Sequence, residues 1–489
     1  MLRITLGLSA LIAISGCGKE EQPELLFGED TRIDMAGDPD PDSGQTRMCV
    51  NDGGQIFVVW VDDRDGSDDV WFNRSVDLGV SWLPSAVKIN RGESNVWLPD
   101  IACSTQGVFV VWEDDRDGEL ENHQIYFSRS VNAGETWLDS DMLLELDIEG
   151  RSMSLGPEII AVGTDLYVAW FDNANGAFDI FVAASGDNGE TWRDPVRVDS
   201  DEPAGSAYSA WPQIGATEAG KVYVVWEDSR NGASDIYFAR SENAGSSFKE
   251  DTRLDGGDEQ GLNASFAPRL SSDGDEVYVV WHDERNGQGR DVFLNHSFNG
   301  GADWNNNASR IDTDNAGFFN SLFPNVQTVG NVAHVAWQDA RSEGYDIYYR
   351  RFQAGDPVGE EVRLDVGDEE GFSNSLNTSI SASGETIVVA WEDGRGEVDT
   401  DFGYNDLYYN FCEGASLFAT DKDLRIDSIA PGESFKVDLA VELYGKLVFS
   451  TWTDGRNGTA DVFFKALEVG TESDYDEFAE ENQDGPATQ

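Results

Sequence analysis

Seven arginines stand at one recurring place in this chain, each two residues after an aspartate. The pairs are Asp62–Arg64, Asp114–Arg116, Asp228–Arg230, Asp283–Arg285, Asp339–Arg341, Asp393–Arg395 and Asp454–Arg456. A further aspartate often follows within a few positions, as at Asp69, Asp235, Asp291 and Asp461. A guanidinium is a planar fork of donors that matches a carboxylate, so a ring of such arginines could grip an acidic ligand. A residue needed once for chemistry is rarely copied seven times, however. Opposite charges repeated in one short loop read better as an ion-pair lattice that fixes the loop. Asp62, Arg64, Asp228, Arg230, Asp283 and Arg285 are therefore expected to line one face of the molecule, as loop-fixing pairs and as candidates for contact with a ligand. The third copy reads Asn173-Ala174-Asn175 and lacks the pair.

A second acidic pattern recurs: Asp38-Pro39-Asp40-Pro41-Asp42-Ser43-Gly44, Asp199-Ser200-Asp201-Glu202, Asp255-Gly256-Gly257-Asp258-Glu259 and Asp365-Val366-Gly367-Asp368-Glu369-Glu370. Alternating carboxylates suit Ca2+, which takes several oxygen ligands, so Asp38, Asp40 and Asp42 form a candidate calcium site. No glutamate closes an EF-hand spacing, and an Asp-rich turn that caps its own backbone accounts for the same residues.

The elements that carry these loops repeat as well. A tryptophan closes an apolar run at Trp60, Trp112, Trp170, Trp226, Trp281, Trp337, Trp391 and Trp452, at spacings of 52, 58, 56, 55, 56, 54 and 61 residues by subtraction. Each full repeat parses into four strands: a Pro212-Gln213-Ile214 type, Val222 to Trp226, Asp235 to Arg240, and a short Arg-Leu-Asp segment such as Thr252-Arg253-Leu254-Asp255. Val222-Tyr223-Val224-Val225-Trp226 is apolar on both faces, as in a strand buried between two sheets. Eight such units without helical periodicity predict an all-β fold, an eight-bladed β-propeller of four-stranded antiparallel blades over residues 31–468. The eighth repeat has no fourth strand, and a spare one, Thr31-Arg32-Ile33-Asp34, precedes the first repeat. Pairing the two would close the ring. Stretches 139–158, 396–405 and 412–422 read as loop insertions, and the acidic tail 469–489 as disordered.

The net charge is −60, from 93 acidic and 33 basic residues, which repels nucleic acid and anionic headgroups. Arg3 and the apolar run Ile4 to Ile14 fit a secretory leader better than a membrane span. The run ends in Ile14-Ser15-Gly16-Cys17, which resembles the bacterial lipoprotein lipobox. That resemblance implies a signal peptide over 1–16, lipidation of Cys17 and a tether over 17–30. With Gly18 following, it points to the outer membrane of a bacterial envelope. Cys49 and Cys103 fall in the first strands of adjacent repeats, where an oxidising compartment permits a disulfide. Cys412 has no evident partner, and with four histidines in the chain no zinc site is indicated.

Between the third and fourth strands lies another motif. Ser185-Gly186-Asp187-Asn188-Gly189-Glu190-Thr191-Trp192 fits Ser-x-Asp-x-Gly-x-Thr-Trp throughout, and Ser75-Val76-Asp77-Leu78-Gly79-Val80-Ser81-Trp82 fits with Ser for Thr. Ser130 to Trp137, Ser241 to Phe248 and Ser297 to Trp304 are variants. The Asp bonds the turn backbone, the Gly supplies a positive φ and the Trp plugs the blade base. On these residues the chain resembles the Asp-box (bacterial neuraminidase repeat) propellers of the sialidase superfamily. The resemblance implies structural Asp-boxes, here Ser75, Asp77, Gly79, Trp82, Ser185, Asp187, Gly189 and Trp192, on the face opposite the active site. A sialidase also needs an arginine clamp, an Asp acid/base and a Tyr nucleophile with its Glu. Arg47 stands where the family carries Arg-Ile-Pro, and Arg269 is a second non-repeated arginine in a first strand. The Tyr/Glu pair is not identifiable.

The resulting expectation is a monomeric, lipid-anchored envelope propeller that binds a carbohydrate or a protein without transforming it. A sialidase-like glycoside hydrolase is the alternative, and a scaffold for other envelope proteins a third reading. Function rests on the site and not on the fold.

Overall fold

The computed structural model describes residues 29–34, 43–116, 122–145, 152–201, 203–342, 344–367, 369–395, 406–413, 418, 423–427, 436–455 and 459–469. Eight four-stranded antiparallel sheets form the ring of a β-propeller, without helices among these residues. Cys17, Asp38, Asp40, Asp42 and Arg456 lie outside the described residues, as do the stretches expected to form a signal peptide and most of those expected to form a tether and a disordered tail.

The second strand of each blade explains why the ring holds. Ile56–Asp62 is buried at every position, and so are Gly107–Asp114 and Thr386–Asp393, because neighbouring blades cover both faces. All eight repeated tryptophans are among the largest fully buried side chains. At ~25 cal/mol per Å2, burying an indole contributes about 5 kcal/mol of apolar transfer. Its polar end is satisfied by the repeat itself: Trp226 Nε1 donates to Asp228 Oδ2 at 3.0 Å and Trp281 Nε1 to Asp283 Oδ2 at 3.1 Å.

The inner strands are Ser43–Val50, Val96–Ser104, Ser154–Val162, Ser209–Ala216, Ser265–Asp273, Ser321–Val329, Ser375–Ser383 and Lys436–Tyr444, from blade 1 to blade 8. Each has a register shift after its second residue, and pairing with the second strand resumes three residues later. Within that bulge one residue in each of blades 1 to 7 takes a positive φ, from Gln45 at 56° and Leu98 at 45° to Phe323 at 48° and Asn377 at 56°. Bulges of this kind re-aim the side chains next to them.

Ring closure follows the expected route. Thr31 pairs with Phe464 and Arg32 with Phe463, so the first strand of the chain completes blade 8. Ile33 is fully buried, Arg32 Nη2 meets Asp461 Oδ1 at 2.6 Å, and Lys465 Nζ reaches Asp30 Oδ1 at 3.2 Å. Cys49 and Cys103 form a disulfide that links the inner strands of blades 1 and 2, with their Cα atoms 6.0 Å apart. The stretch 139–158 departs from the expected insertion. It contains the fourth strand of blade 2, Met142–Leu143, and the start of the next inner strand at Ser154. The repeat is disguised there because Leu143 replaces the usual arginine and Glu145 the usual aspartate.

Candidate functional site

The residue at which pairing resumes after each bulge stands at the central channel. From blade 1 to blade 8 these residues are Arg47, Asp100, Glu158, Gln213, Arg269, Asn325, Ser379 and Ala440. Everything around them repeats, and they do not. A cavity of about 660 Å3 opens here, lined among others by Arg47, Arg269, Asn325, Ser379, Ala440 and Glu442. Arg47 and Arg269, predicted separately from sequence, come from blades 1 and 5, opposite one another in a ring of eight. Arg47 Nη1 donates to Thr46 O at 3.0 Å and Arg269 Nη1 to Pro268 O at 3.1 Å. Among the described residues neither guanidinium makes an ion pair.

The charges are unevenly placed. Asp100 and Glu158 occupy blades 2 and 3, while blades 6 to 8 contribute Asn325, Ser379 and Ala440. Asp100 Oδ2 accepts the backbone N–H of Ile159 at 2.8 Å, and Glu158 Oε1 accepts Gln213 Nε2 at 2.7 Å. Burial, then the charge of Glu158, pushes the Asp100 carboxyl up to about 7, against the pull of Arg47. Burial lowers the Arg269 pKa, and the charge of Arg47 acts in the same direction while Glu158 opposes it. Deeper in the channel, burial raises Glu442 to about 7 although Ser381 Oγ donates to it at 3.2 Å.

A polar collar holds the bulges above this ring. Gly156 N donates to Glu113 Oε1 at 2.7 Å, Ala267 N to Glu227 Oε1 at 2.7 Å, and Asn377 N to Gln338 Oε1 at 3.2 Å. The acceptor is in each case the residue after a repeated tryptophan, in the preceding blade. Glu227, which burial raises, is thus committed to the backbone.

The repeated arginines occupy the loops farther out. Arg230 Nη2 meets Asp228 Oδ2 at 2.5 Å and Asp251 Oδ2 at 2.9 Å, and its guanidinium carbon lies 4.1 Å from the Tyr237 ring centroid. Arg64 Nε donates to Asp62 Oδ1 and Arg285 Nε to Asp283 Oδ1, each at 2.9 Å, and they stack on Trp71 and Phe293. Two buried acidic clusters, Asp179/Asp199/Asp201 and Asp291/Asp312/Asp314, bring carboxylate oxygens within 4.8 Å of one another and could hold a metal ion. A guanidinium reaches all three acids of each: Arg197 Nη2 lies 3.2 Å from Asp179 and Arg310 Nη2 3.2 Å from Asp291, each bonded also to the other two aspartates.

At the opposite end of the blades, Ser75 Oγ donates to Asp77 Oδ1 at 2.7 Å and Ser81 N to the same oxygen at 2.9 Å. Ser185, Asp187 and Thr191 repeat the arrangement, and their bonds lower Asp187 to about 2. Gly79 has φ +87°, and a Cβ there would collide with the Phe464 ring of the preceding blade. Trp82 packs edge-on against that phenylalanine at 4.8 Å, and Trp192 against Phe127 at 5.0 Å.

No family model matches the chain, and no curated protein matches it. Solved structures do. An ulvan lyase, described as a new family of polysaccharide lyase, is 11% identical over 78% of this chain and 95% of its own, with a TM-score of 0.48. A Hadza microbial sialidase is 14% identical over 65% of this chain and 66% of its own, with a TM-score of 0.39. A Dyadobacter fermentans protein of unknown function is 13% identical over 68% and 96%, with a TM-score of 0.40. Likeness at this level carries nothing about the site.

Sequence reading missed Asp100, Glu158, Gln213 and Glu442. Each occurs once and looks like an ordinary surface residue until the eight inner strands are aligned on their bulges.

Proposed function

We propose that this propeller binds, without transforming it, a carbohydrate bearing a carboxylate, and that the acid group enters the channel between Arg47 and Arg269. One observation carries the reading: both guanidiniums face a single cavity, and among the described residues each is bonded only to the carbonyl preceding it. The loop arginines, by contrast, have carboxylates of their own. Arg47 is exposed to the channel, whereas burial lowers the pKa of Arg269, so an anion held between them would offset the cost of burying the second cation. The neutral side of the ring, Asn325 and Ser379, suits sugar hydroxyls.

A sialidase-like hydrolase is the second reading, favoured by Asp100, whose carboxyl at about 7 is matched to general acid work near neutral pH. It is the weaker one because no tyrosine lines the cavity among the described residues. The Ser75–Trp82 and Ser185–Trp192 turns are read as structural Asp-boxes. The chain is read as a monomeric bacterial envelope protein held at the outer membrane by a lipid on Cys17. Calcium would have to displace Arg197 or Arg310 from the acidic clusters, so sugar binding is expected to be unchanged in EDTA.

Calorimetric titration with galacturonate, N-acetylneuraminate and neutral galactose tests the reading. Acidic sugars are expected to bind and galactose not, with Arg47→Ala and Arg269→Ala each weakening binding at least tenfold. Equal affinity for acidic and neutral sugars, or binding indifferent to both arginines, would overturn it. Turnover of a fluorogenic sialoside that Asp100→Asn abolishes would favour the second reading.

A further inference from the structure

Two large aromatic side chains stand where the fold prefers none. The positive-φ slot of the inner strand holds Gly156 in blade 3, Ala267 in blade 5 and Asn377 in blade 7, but Trp211 in blade 4 and Phe323 in blade 6. Their φ values are +55° and +48°, a left-handed region that is unfavourable for bulky side chains and persists where the surroundings enforce it. Folding does not repay the aromatic choice by burial either, since Trp211 is 51% exposed and Phe323 52%.

Both rings are nevertheless held in place from behind. Trp211 leans on Phe171 of blade 3, with centroids 5.2 Å apart, and Phe178 packs edge-on against Phe171 at 5.1 Å. Phe171 stands where every other blade but the first, which has Val61, carries a polar residue after the repeated tryptophan, so a ring supports a ring in place of an acceptor. Phe323 stands edge-on to His282 at 5.3 Å, and its backbone N–H meets His282 Nδ1 at 3.3 Å. Burial and the charge of Arg290 keep that imidazole neutral, lowered to about 3. Phe323 lines the cavity, and Trp211 is the equivalent residue two blades away. Between them lies blade 5, with the small Ala267 in the slot and Arg269 below it.

We propose that Trp211 and Phe323 are pyranose-stacking subsites at the channel mouth, so that the ligand is an acidic oligosaccharide and not a lone sugar. The inference rests on the acid-binding reading of Arg47 and Arg269. The C–H face of a pyranose is apolar and matches one half-exposed ring, while its hydroxyls remain in water. Trp211 lies within the bulge, two residues before Gln213, so it stands nearer the channel mouth than the level of the arginines. The rings are fixed before binding, so little side-chain freedom is lost on contact.

The test titrates galacturonate, di- and tetragalacturonate into the full chain and into Trp211→Ala, Trp211→Gly and Arg269→Ala. In the parent, affinity is expected to rise at least tenfold from monomer to tetramer. Trp211→Ala should erase most of that gain and leave the monomer within twofold, whereas Arg269→Ala should weaken every length. Trp211→Gly, with the residue blade 3 uses in this slot, should behave alike and melt no lower than the parent. Affinity independent of length, or a tryptophan variant that weakens monomer and tetramer equally, would overturn the subsites while leaving the acid-binding reading intact. Neutral galactan oligomers that bind through Trp211 and ignore Arg47→Ala would uphold the subsites and sink the acid-binding reading. If neither acidic nor neutral oligomers bind, both fall.

Discussion

Ile159 donates its backbone N–H to Asp100 Oδ2 at 2.8 Å, so an acid of the second blade anchors the inner strand of the third. This bond restrains a carboxyl that burial and Glu158 push up to about 7. The channel acids therefore join packing between blades to proton binding.

A dependence of stability on pH follows. Asp100, Asp365 and Glu442 are raised to about 7 and Asp255 to about 6, burial being the first cause in each. Between about pH 4 and 7 the folded chain keeps protons that the unfolded chain has released, so stability falls as pH rises through that window. Self-repulsion at a net charge of −60 acts in the same direction. Calorimetry is expected to give a higher melting temperature at pH 5 than at pH 8, with a smaller difference in Asp100→Asn. Equal or reversed melting temperatures would contradict this.

Arg230 binds Asp228 and Asp251 and stacks on Tyr237. Its removal leaves Asp228 buried but still bonded to Trp226 Nε1 and Ser209 Oγ. Arg230→Ala is expected to cost about 2 kcal/mol, with sugar binding unchanged. Loss of binding at an unchanged melting temperature would show that the loop arginines contact the ligand.

The closing strand is short but well tied. Ile33→Ala, which empties a fully buried site, is expected to cost about 3 kcal/mol. Deleting residues 29–34 should cost more, since it also unpairs Phe463 and Phe464 and leaves Lys465 without Asp30. Chemical denaturation reads both, and a deletion variant as stable as the parent would refute this closure.

The Cys49–Cys103 bridge closes a segment of 54 residues between two blades. Chain entropy gives about 4 kcal/mol for a loop of that length, so Cys49→Ser should unfold at distinctly lower denaturant. Reductant should shift the parent toward the variant and leave the variant itself unmoved.

The ring was legible in the sequence because each blade repeats the same solution. The tryptophan spacing set the number of blades, and the orphan Thr31–Asp34 segment marked the closure. The outer strand of blade 2 was hidden because Leu143 and Glu145 broke its pattern. Arg47 and Arg269 stood out as arginines outside the repeat, while Asp100 and Glu158 did not, since single acids are unremarkable among 93. Trp211 falls outside the eight repeated tryptophans, and its half-exposed position follows from a bulge that period-two reading cannot foresee.

Because Thr31–Arg32 completes the last blade, the first and last strands of the propeller meet inside one sheet. The ring therefore has no privileged starting point. Joining the two ends of the propeller and opening it at an exposed tight turn, such as Gly163–Thr164, would leave every strand with its present neighbours. A circularly permuted gene should thus encode the same molecule, with its new termini on the face away from the channel mouth.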